Sequence, residues 1–314
     1  MECSQATEPG DGAGIQVSFE FFPPSDAAMA AQLWASVQRL APLHPRFVSV
    51  TYGADGSTRE RTHAVIRRMQ AETALTVAPH LTSIGARRDE VLDVAACYAA
   101  EGIRHLVALR GDAPAGGDDD ASGAGFSDAI ELVQALQSIG EFDISVAAYP
   151  EVHPRARSAR ADLDHLKRKI DAGATRAITQ FFFDNDVYFL FRDACDAIDI
   201  TVPIVPGILP VTRFPQIVQF AARCGTRIPA RIAKRFEGLD EDPDTRRRVS
   251  AAVAIEQVDS LRRQGVQEFH FYTLNRAELT YAICHALGLR PCCSALPGGE
   301  RRGEATVLRT THSA

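Results

Sequence analysis

Seven short runs of the chain end in polar or charged residues where an apolar, β-like stretch gives out, and these residues have chemistry to offer. The run VSFEFFPP sets Ser18, Glu20 and Phe22 on one face and Val17, Phe19 and Phe21 on the other, because successive strand side chains alternate. A carboxylate flanked by phenylalanines is expected to have its charged form disfavoured and its pKa raised, which suits a general acid near neutrality. The alternative is a structural carboxylate bonded to a neighbouring strand or loop. The run HLVALRGD ends in Arg110-Gly111-Asp112. There an arginine can hold a phosphate or an anionic ring and an aspartate can act on developing positive charge, unless the two neutralise one another as a salt bridge. Thr51 and Tyr52, His80, Tyr149 with Glu151 and His153, Gln180, and Tyr272 end the other runs. Such a set of donors and aromatic faces suits a large flat ligand better than a small sugar phosphate.

These ends converge only if the runs are parallel strands of one sheet. Strand-like segments fall at 17–22, 46–53, 75–82, 105–112, 143–150, 176–183, 202–209 and 268–275. Helical periodicity occupies 26–40, 59–72, 87–101, 126–138, 159–171, 185–197, 213–223 and 276–287, with one additional helix at about 243–264 between the seventh and eighth strands. Asp26 is placed to cap the first helix. Eight strand–helix units without a composition break predict an α/β fold, a single (β/α)₈ TIM barrel spanning 15–290, whose strand C-termini form the working face. Residues 1–14, 113–125 and 291–314 lack periodicity and are expected to be mobile.

Composition narrows the function. Of 314 residues, 34 are Lys or Arg and 40 Asp or Glu, so there is no general electrostatic reason to bind nucleic acid. No run is long and apolar enough for a membrane helix, the start lacks a secretion signal, and a cytoplasmic protein is expected. Seven scattered cysteines predict reduced thiols, with Cys97, Cys195, Cys224 and Cys284 read as small buried hydrophobes. The Cys292-Cys293 doublet lies just before a Gly-rich tail, lacks the surrounding glycines of a zinc thiolate site and has no strand to present it, so no metal is expected. Glycine-rich nucleotide loops and the common hydrolase motifs are absent, which leaves metal-free acid–base or redox chemistry.

The motifs SFEFFPP, VTYGADGST, HLT, GIRHLVALRGD, YPEVHP, LKRKIDAGATRAITQFFFD, VPGILPV and FHFYTLNR occur in an order and spacing that resembles the bacterial-type 5,10-methylenetetrahydrofolate reductases from about residue 15 to 288. The resemblance implies a flavoprotein that uses bound FAD and NADH or NADPH to reduce 5,10-methylenetetrahydrofolate to 5-methyltetrahydrofolate in a ping-pong sequence, as a homo-oligomer. It also implies roles. Glu20 matches the acid that protonates N10, and Asp112 a carboxylate that stabilises the resulting cation and tunes the flavin. Gln180, Gln216, Phe220, Tyr272, Leu274 and Arg276 match the folate and nicotinamide site. Thr51, Tyr52, His80, Arg110, Gly111, Asp112, Tyr149, His153, Asp162 and Lys169 match positions along FAD. Two departures stand out, Ala147-Ala148 where relatives carry Gly-Cys and Ser83 in place of a cysteine. The competing readings are another flavin-dependent barrel, proline dehydrogenase-like, and a non-catalytic folate-binding protein.

Overall fold

Side-chain alternation sorts each strand between a helical layer and a closed interior. In β1 (Gln16–Phe21), Val17, Phe19 and Phe21 are buried in one cluster with Leu33, Val37 and Leu40 of α1 (Ala27–Leu40), whereas Ser18 and Glu20 face inward. Such sorting repeats through β2 (Val48–Val50), β3 (Val77–Thr82), β4 (His105–Leu109), β5 (Asp143–Ala148) and β6 (Arg176–Thr179). The ring is completed by β7 (Ile204–Val205), β8 (Gly207–Ile208) and β9 (Glu268–Tyr272). The computed structural model describes residues 14–52, 59–111 and 125–291. Asp112, Cys292-Cys293, and nearly all of the three stretches expected to be mobile lie outside them.

All pairings are parallel, in the order β7-β6-β5-β4-β3-β2-β1-β9-β8. β7 and β8 are two halves of one run broken at Pro206, which has no amide for a ladder. The first half pairs with β6 and the second with β9, so this run closes the barrel. Gly207 occupies the break because nothing larger fits. A Cβ there would stand 2.1 Å from Thr179 O and 2.6 Å from Tyr272 Cε2, while its N–H donates to Thr179 Oγ1 at 2.9 Å.

Helices follow the strands on the outside: α2 (Arg59–Glu72), α3 (Arg88–Ala100), α4 (Ala129–Gln137), α5 (Ala159–Asp171), α6 (Asn185–Asp196), α7 (Phe214–Cys224) and α10 (Ala277–Ala286). Asp26 caps α1, accepting from Met29 N at 2.8 Å. The connection between the last two strand positions holds the additional helix, α9 (Pro243–Arg263), and also a short α8 (Ala230–Phe236) that periodicity did not announce. Seven residues give too few turns for a hydrophobic period to register. The cysteine expectation is corrected in part: Cys195 and Cys284 are buried, but Cys97 is exposed and Cys224 only half-buried.

The N-terminal ends of the strands are closed by charge. Arg176, the first residue of β6, is only 2% exposed; its guanidinium lies 3.4 Å from Asp143 of β5 and 3.1 Å from Glu268 of β9. His105 of β4 approaches Asp143 at 3.1 Å, and the Phe47 ring lies 5.6 Å from the guanidinium carbon. This network holds the bottom of the barrel and leaves the C-terminal mouth for ligands.

Candidate active site

Glu20 stands at the C-terminal end of β1, facing into the mouth between two histidines. His80 Nε2 of β3 lies 3.2 Å from Glu20 Oε2, and His270 Nε2 of β9 lies 3.6 Å from the same oxygen. Strand register explains the arrangement: Ser18 pairs with His270, and Glu20 with Tyr272. His270 is fully buried, and its Nδ1 lies 2.8 Å from Ser18 Oγ, which leaves Nε2 turned toward the carboxylate. Tyr272 crosses the His270 ring edge-on at 5.3 Å and donates its hydroxyl to Thr179 O at 2.8 Å. Burial, followed by the Glu20 charge, pushes the Tyr272 phenol well above its ordinary value, so it stays neutral.

The expected rise in the Glu20 pKa is overturned. Burial pushes the carboxyl up, but His270 and then His80 more than offset it and bring it down to about 2. The pull comes from polar contact with the two imidazoles first and from their charge interaction second. The phenylalanines that motivated the opposite expectation, Phe19 and Phe21, pack into the helical-layer core. Neighbours in sequence are not neighbours across a strand.

Around Glu20 opens a cavity of about 370 Å³. Its lining includes Thr51, Tyr52, His80, Gly111, Tyr149, Gln180, Phe220, Tyr272 and Leu274, so the mouth brings together most of the residues expected there. Gln180 uses Oε1 to accept from Phe181 N at 3.0 Å, leaving its NH₂ group to donate. Leu274 and Asn275 both adopt left-handed backbone, with φ of 49° and 55°. That turn is clamped from outside, since the Asn275 amide bonds Phe22 N at 3.0 Å and Phe22 O at 2.9 Å. Strain held this way beside a cavity fixes how Leu274 is presented.

Residues 6–288 match the family described as methylenetetrahydrofolate reductase. The chain belongs to that family. It is 56% identical over 278 residues to the 5,10-methylenetetrahydrofolate reductase of Pectobacterium carotovorum subsp. carotovorum, covering 88% of this chain and 91% of the relative. It is 56% identical over 277 residues to that of Escherichia coli (strain K12), covering 88% and 92%. A solved structure described as an uncharacterized protein from Clostridium thermocellum that binds two copies of 5-methyl-5,6,7,8-tetrahydrofolic acid covers 88% of this chain and 95% of its own. With a TM-score of 0.57 at 12% identity, it is a likeness of fold alone.

For a methylenetetrahydrofolate reductase the remaining expected residues fall in five places. Asp162 lies in an adjoining cavity of about 290 Å³, shared with Tyr149 and walled by Leu163 and Leu190. His153 meets Tyr149 edge-on at 4.4 Å, and its backbone N–H donates to Asp162 Oδ2 at 2.7 Å, so these three form one unit. Lys169 is buried beneath the mouth, donating to Ala147 O at 2.6 Å; burial lowers its ammonium to about 8, against the pull of Asp162 and Asp128. Arg110 is half-buried at the end of β4, and Gln216 is exposed on α7. Arg276 occupies the residue before α10, with no side-chain capping bond, and lines a different cavity.

Sequence reasoning missed His270, Thr82 and Asn275. Alternation places His270 on the inward face of EFHFY but says nothing of its depth or its distance to Glu20. Thr82 lines the mouth with its Oγ1 buried and, among the described residues, without an acceptor. FAD fits this site on three observations: that orphaned hydroxyl, the aromatic-walled mouth that shares Tyr149 with the adjoining cavity, and the close backbone at Gly111. With φ of 88°, Gly111 allows a turn where a Cβ would stand 2.6 Å from Ile84 Cγ2.

Proposed function

We propose that this mouth reduces 5,10-methylenetetrahydrofolate to 5-methyltetrahydrofolate with electrons from NADH or NADPH, the two substrates occupying the same place in turn. The observation that carries the reading is the Glu20 carboxylate, set between two imidazoles in an aromatic-walled cavity of a chain from this family. Bound FAD supplies two-electron carriage between ligands that never meet. Thr51, Tyr52, His80, Thr82, Gly111 and Tyr149 are assigned to its ring system. Arg110, His153, Asp162 and Lys169 are assigned to its ribityl, phosphate and adenosine portions. The family and the mouth geometry support these roles, and exchange of each side chain tests them.

Glu20 delivers a proton to N10 of the folate. Once N10 is protonated the five-membered ring opens, leaving the one-carbon unit as an iminium at N5, the electrophile that is reduced. In the free protein the carboxyl sits at about 2 and is ionised, so it must take up a proton before it can act as the acid. Covering the mouth with a pterin strips water from Glu20, which strengthens the burial effect already raising its pKa and draws the proton onto it. Gln180 orients the pterin with its free NH₂, Phe220 offers a stacking face, and Leu274, Gln216, Tyr272 and Arg276 complete the folate and nicotinamide contacts. Asp112 is proposed to stabilise the N5 cation and tune the flavin. A protein that only binds folate would need no acid beside N10, and the proline dehydrogenase-like alternative yields to the family match. Self-association into a homo-oligomer belongs to this reading, rests on the family resemblance, and is measured by light scattering.

Purified protein is expected to be yellow and to release FAD on denaturation. Without oxygen it should consume NADH or NADPH when methylenetetrahydrofolate is supplied, giving parallel double-reciprocal lines. A folded protein that takes up no FAD, or lines that intersect, would contradict the ping-pong flavoprotein.

A further inference from the structure

His270 is wholly buried in the barrel interior, yet it lies outside the lining of the mouth and has no ligand to hold. The β1–β9 register sets it opposite Ser18, and its Nδ1 lies 2.8 Å from Ser18 Oγ. Its Nε2 lies 3.6 Å from Glu20 Oε2, just past bonding length, and this buried nitrogen has no hydrogen-bond partner among the described residues. Leaving a buried polar atom unpaired is costly, and this one stands beside the carboxylate that has to gain a proton. The surroundings hold the ring still. Phe47 stacks on it with ring centres 6.0 Å apart, Tyr272 crosses its edge at 5.3 Å, and its backbone N–H donates to Pro206 O at 3.0 Å. His80 is nearer to Glu20 Oε2, at 3.2 Å, but it lines the mouth and is assigned to the flavin ring. Among the described residues, only His270 of the two has a hydroxyl at Nδ1.

That hydroxyl decides which proton can leave. Toward an imidazolium, Ser18 Oγ accepts from Nδ1–H, and it goes on accepting from the same N–H after Nε2 has lost its proton. The transferable proton is therefore the one on Nε2, which faces the acid. The charged and titratable groups around the ring are Glu20 from β1, His80 from β3 across the carboxylate, and Tyr272 from β9, whose phenol stays neutral. Phe47 in turn touches the network at the bottom of the barrel, with the Arg176 guanidinium carbon at 5.6 Å and the His105 ring at 6.1 Å, both paired with Asp143 and Arg176 also with Glu268. Against burial, His270 does more than any other group to hold the Glu20 carboxyl at about 2. We propose that His270 is a positioning residue for the acid, aiming the Glu20 carboxylate and passing it the Nε2 proton that then goes to N10. The Nε2–H bond breaks as an O–H bond forms on Glu20 Oε2, leaving a neutral imidazole whose remaining proton sits on Nδ1 toward Ser18. Glu20 gives that proton to N10, and Nε2 takes up its replacement from water between turnovers. The inference rests on the folate reading above.

The test is the pH profile of flavin reoxidation by methylenetetrahydrofolate in the FAD-loaded protein, for wild type, His270→Gln, Ser18→Ala, Glu20→Gln and Glu20→Gln/His270→Gln. Glutamine at 270 keeps an N–H donor near the carboxylate but has no proton to pass on. Wild-type reoxidation is expected to fall as pH rises through the imidazole range, around about 6.5. His270→Gln should be slower by about 10–100-fold at about pH 7.5, part of a positioned acid's worth, and recover toward wild type near about pH 5, because the carboxyl then takes its proton from solvent. The double variant should be no slower than Glu20→Gln, since His270 acts only through that carboxylate. Ser18→Ala is a smaller change that keeps the test open if His270→Gln does not fold, and it should slow reoxidation by about two- to tenfold, the worth of one hydrogen bond. A loss in His270→Gln that is equal at every pH, an equal loss in reduction by NADH or NADPH, further slowing in the double variant, or an unchanged rate in Ser18→Ala overturns the inference. If Glu20→Gln stalls while His270→Gln keeps the wild-type profile, His270 has no such role and the folate reading stands. If Glu20→Gln reoxidises at the wild-type rate, both fall.

Discussion

Glu20→Gln is expected to leave reduction of the protein by NADH or NADPH near the wild-type rate while slowing the reaction with methylenetetrahydrofolate by about 10²–10⁴-fold, the usual worth of a positioned acid. Glutamine keeps the shape and the polar contact with the histidines, but has no acidic proton to give N10. The nicotinamide half-reaction asks for no such proton, so the two halves should separate. The replaced group is a carboxylate that His270 and His80 hold at about 2 against its burial. Loss of both half-reactions together would mean Glu20 supports the mouth structurally, and unchanged folate turnover would remove the acid assignment.

Arg176→Ala is expected to be the most destabilising single exchange at the other end of the barrel. It takes the shared guanidinium, 2% exposed, from both Asp143 and Glu268, leaving Asp143 with His105 at 3.1 Å and Glu268 with the longer contact to Arg46 at 3.8 Å. Removing one partner of a buried ion pair costs about 3–5 kcal/mol, which for a chain of this size lowers the melting temperature by roughly 10 °C. The penalty should depend on pH in a defined sense. The contact with His105 first, against the opposing effect of burial, and then Thr175 and Arg176 hold the Asp143 carboxyl well below its ordinary 3.8. A depressed carboxyl contributes stability above its unfolded value and loses it as pH falls toward the folded one. The gap between wild type and Arg176→Ala should therefore be full at pH 7 and shrink below about pH 4. Calorimetric melts across that range check it; a gap that is small at pH 7, or grows in acid, would show that the bottom of the barrel is held by packing alone.

Much of this was legible in the residues. A parallel barrel must put its strand ends together, so seven polar strand ends predicted one mouth, and Thr51, His80, Tyr149, Gln180 and Tyr272 meet there. Alternation also predicted which way Glu20 faces. What it lacked was the view across strands. His270, 252 residues from Ser18, becomes its partner only through the β1–β9 register, and with His80 it reverses the expected pKa of Glu20. The break at Pro206 was visible as a proline inside VPIVPGIL, but that it divides one barrel strand between two neighbours is a property of closure. The cavity lined by Arg276 gathers residues from α1, α9, α10 and the start of α7, a convergence with no linear signature.

Anaerobic stopped-flow absorbance tests the central claim most directly, that one mouth serves a nicotinamide and a folate in alternation with Glu20 as the proton source. Wild type should lose its flavin absorbance on mixing with NADH or NADPH and regain it on mixing with methylenetetrahydrofolate, with one 5-methyltetrahydrofolate formed per flavin. Glu20→Gln should show the first phase and stall at the second. Bleaching without recovery in wild type, or recovery at the same rate in both proteins, would contradict the account.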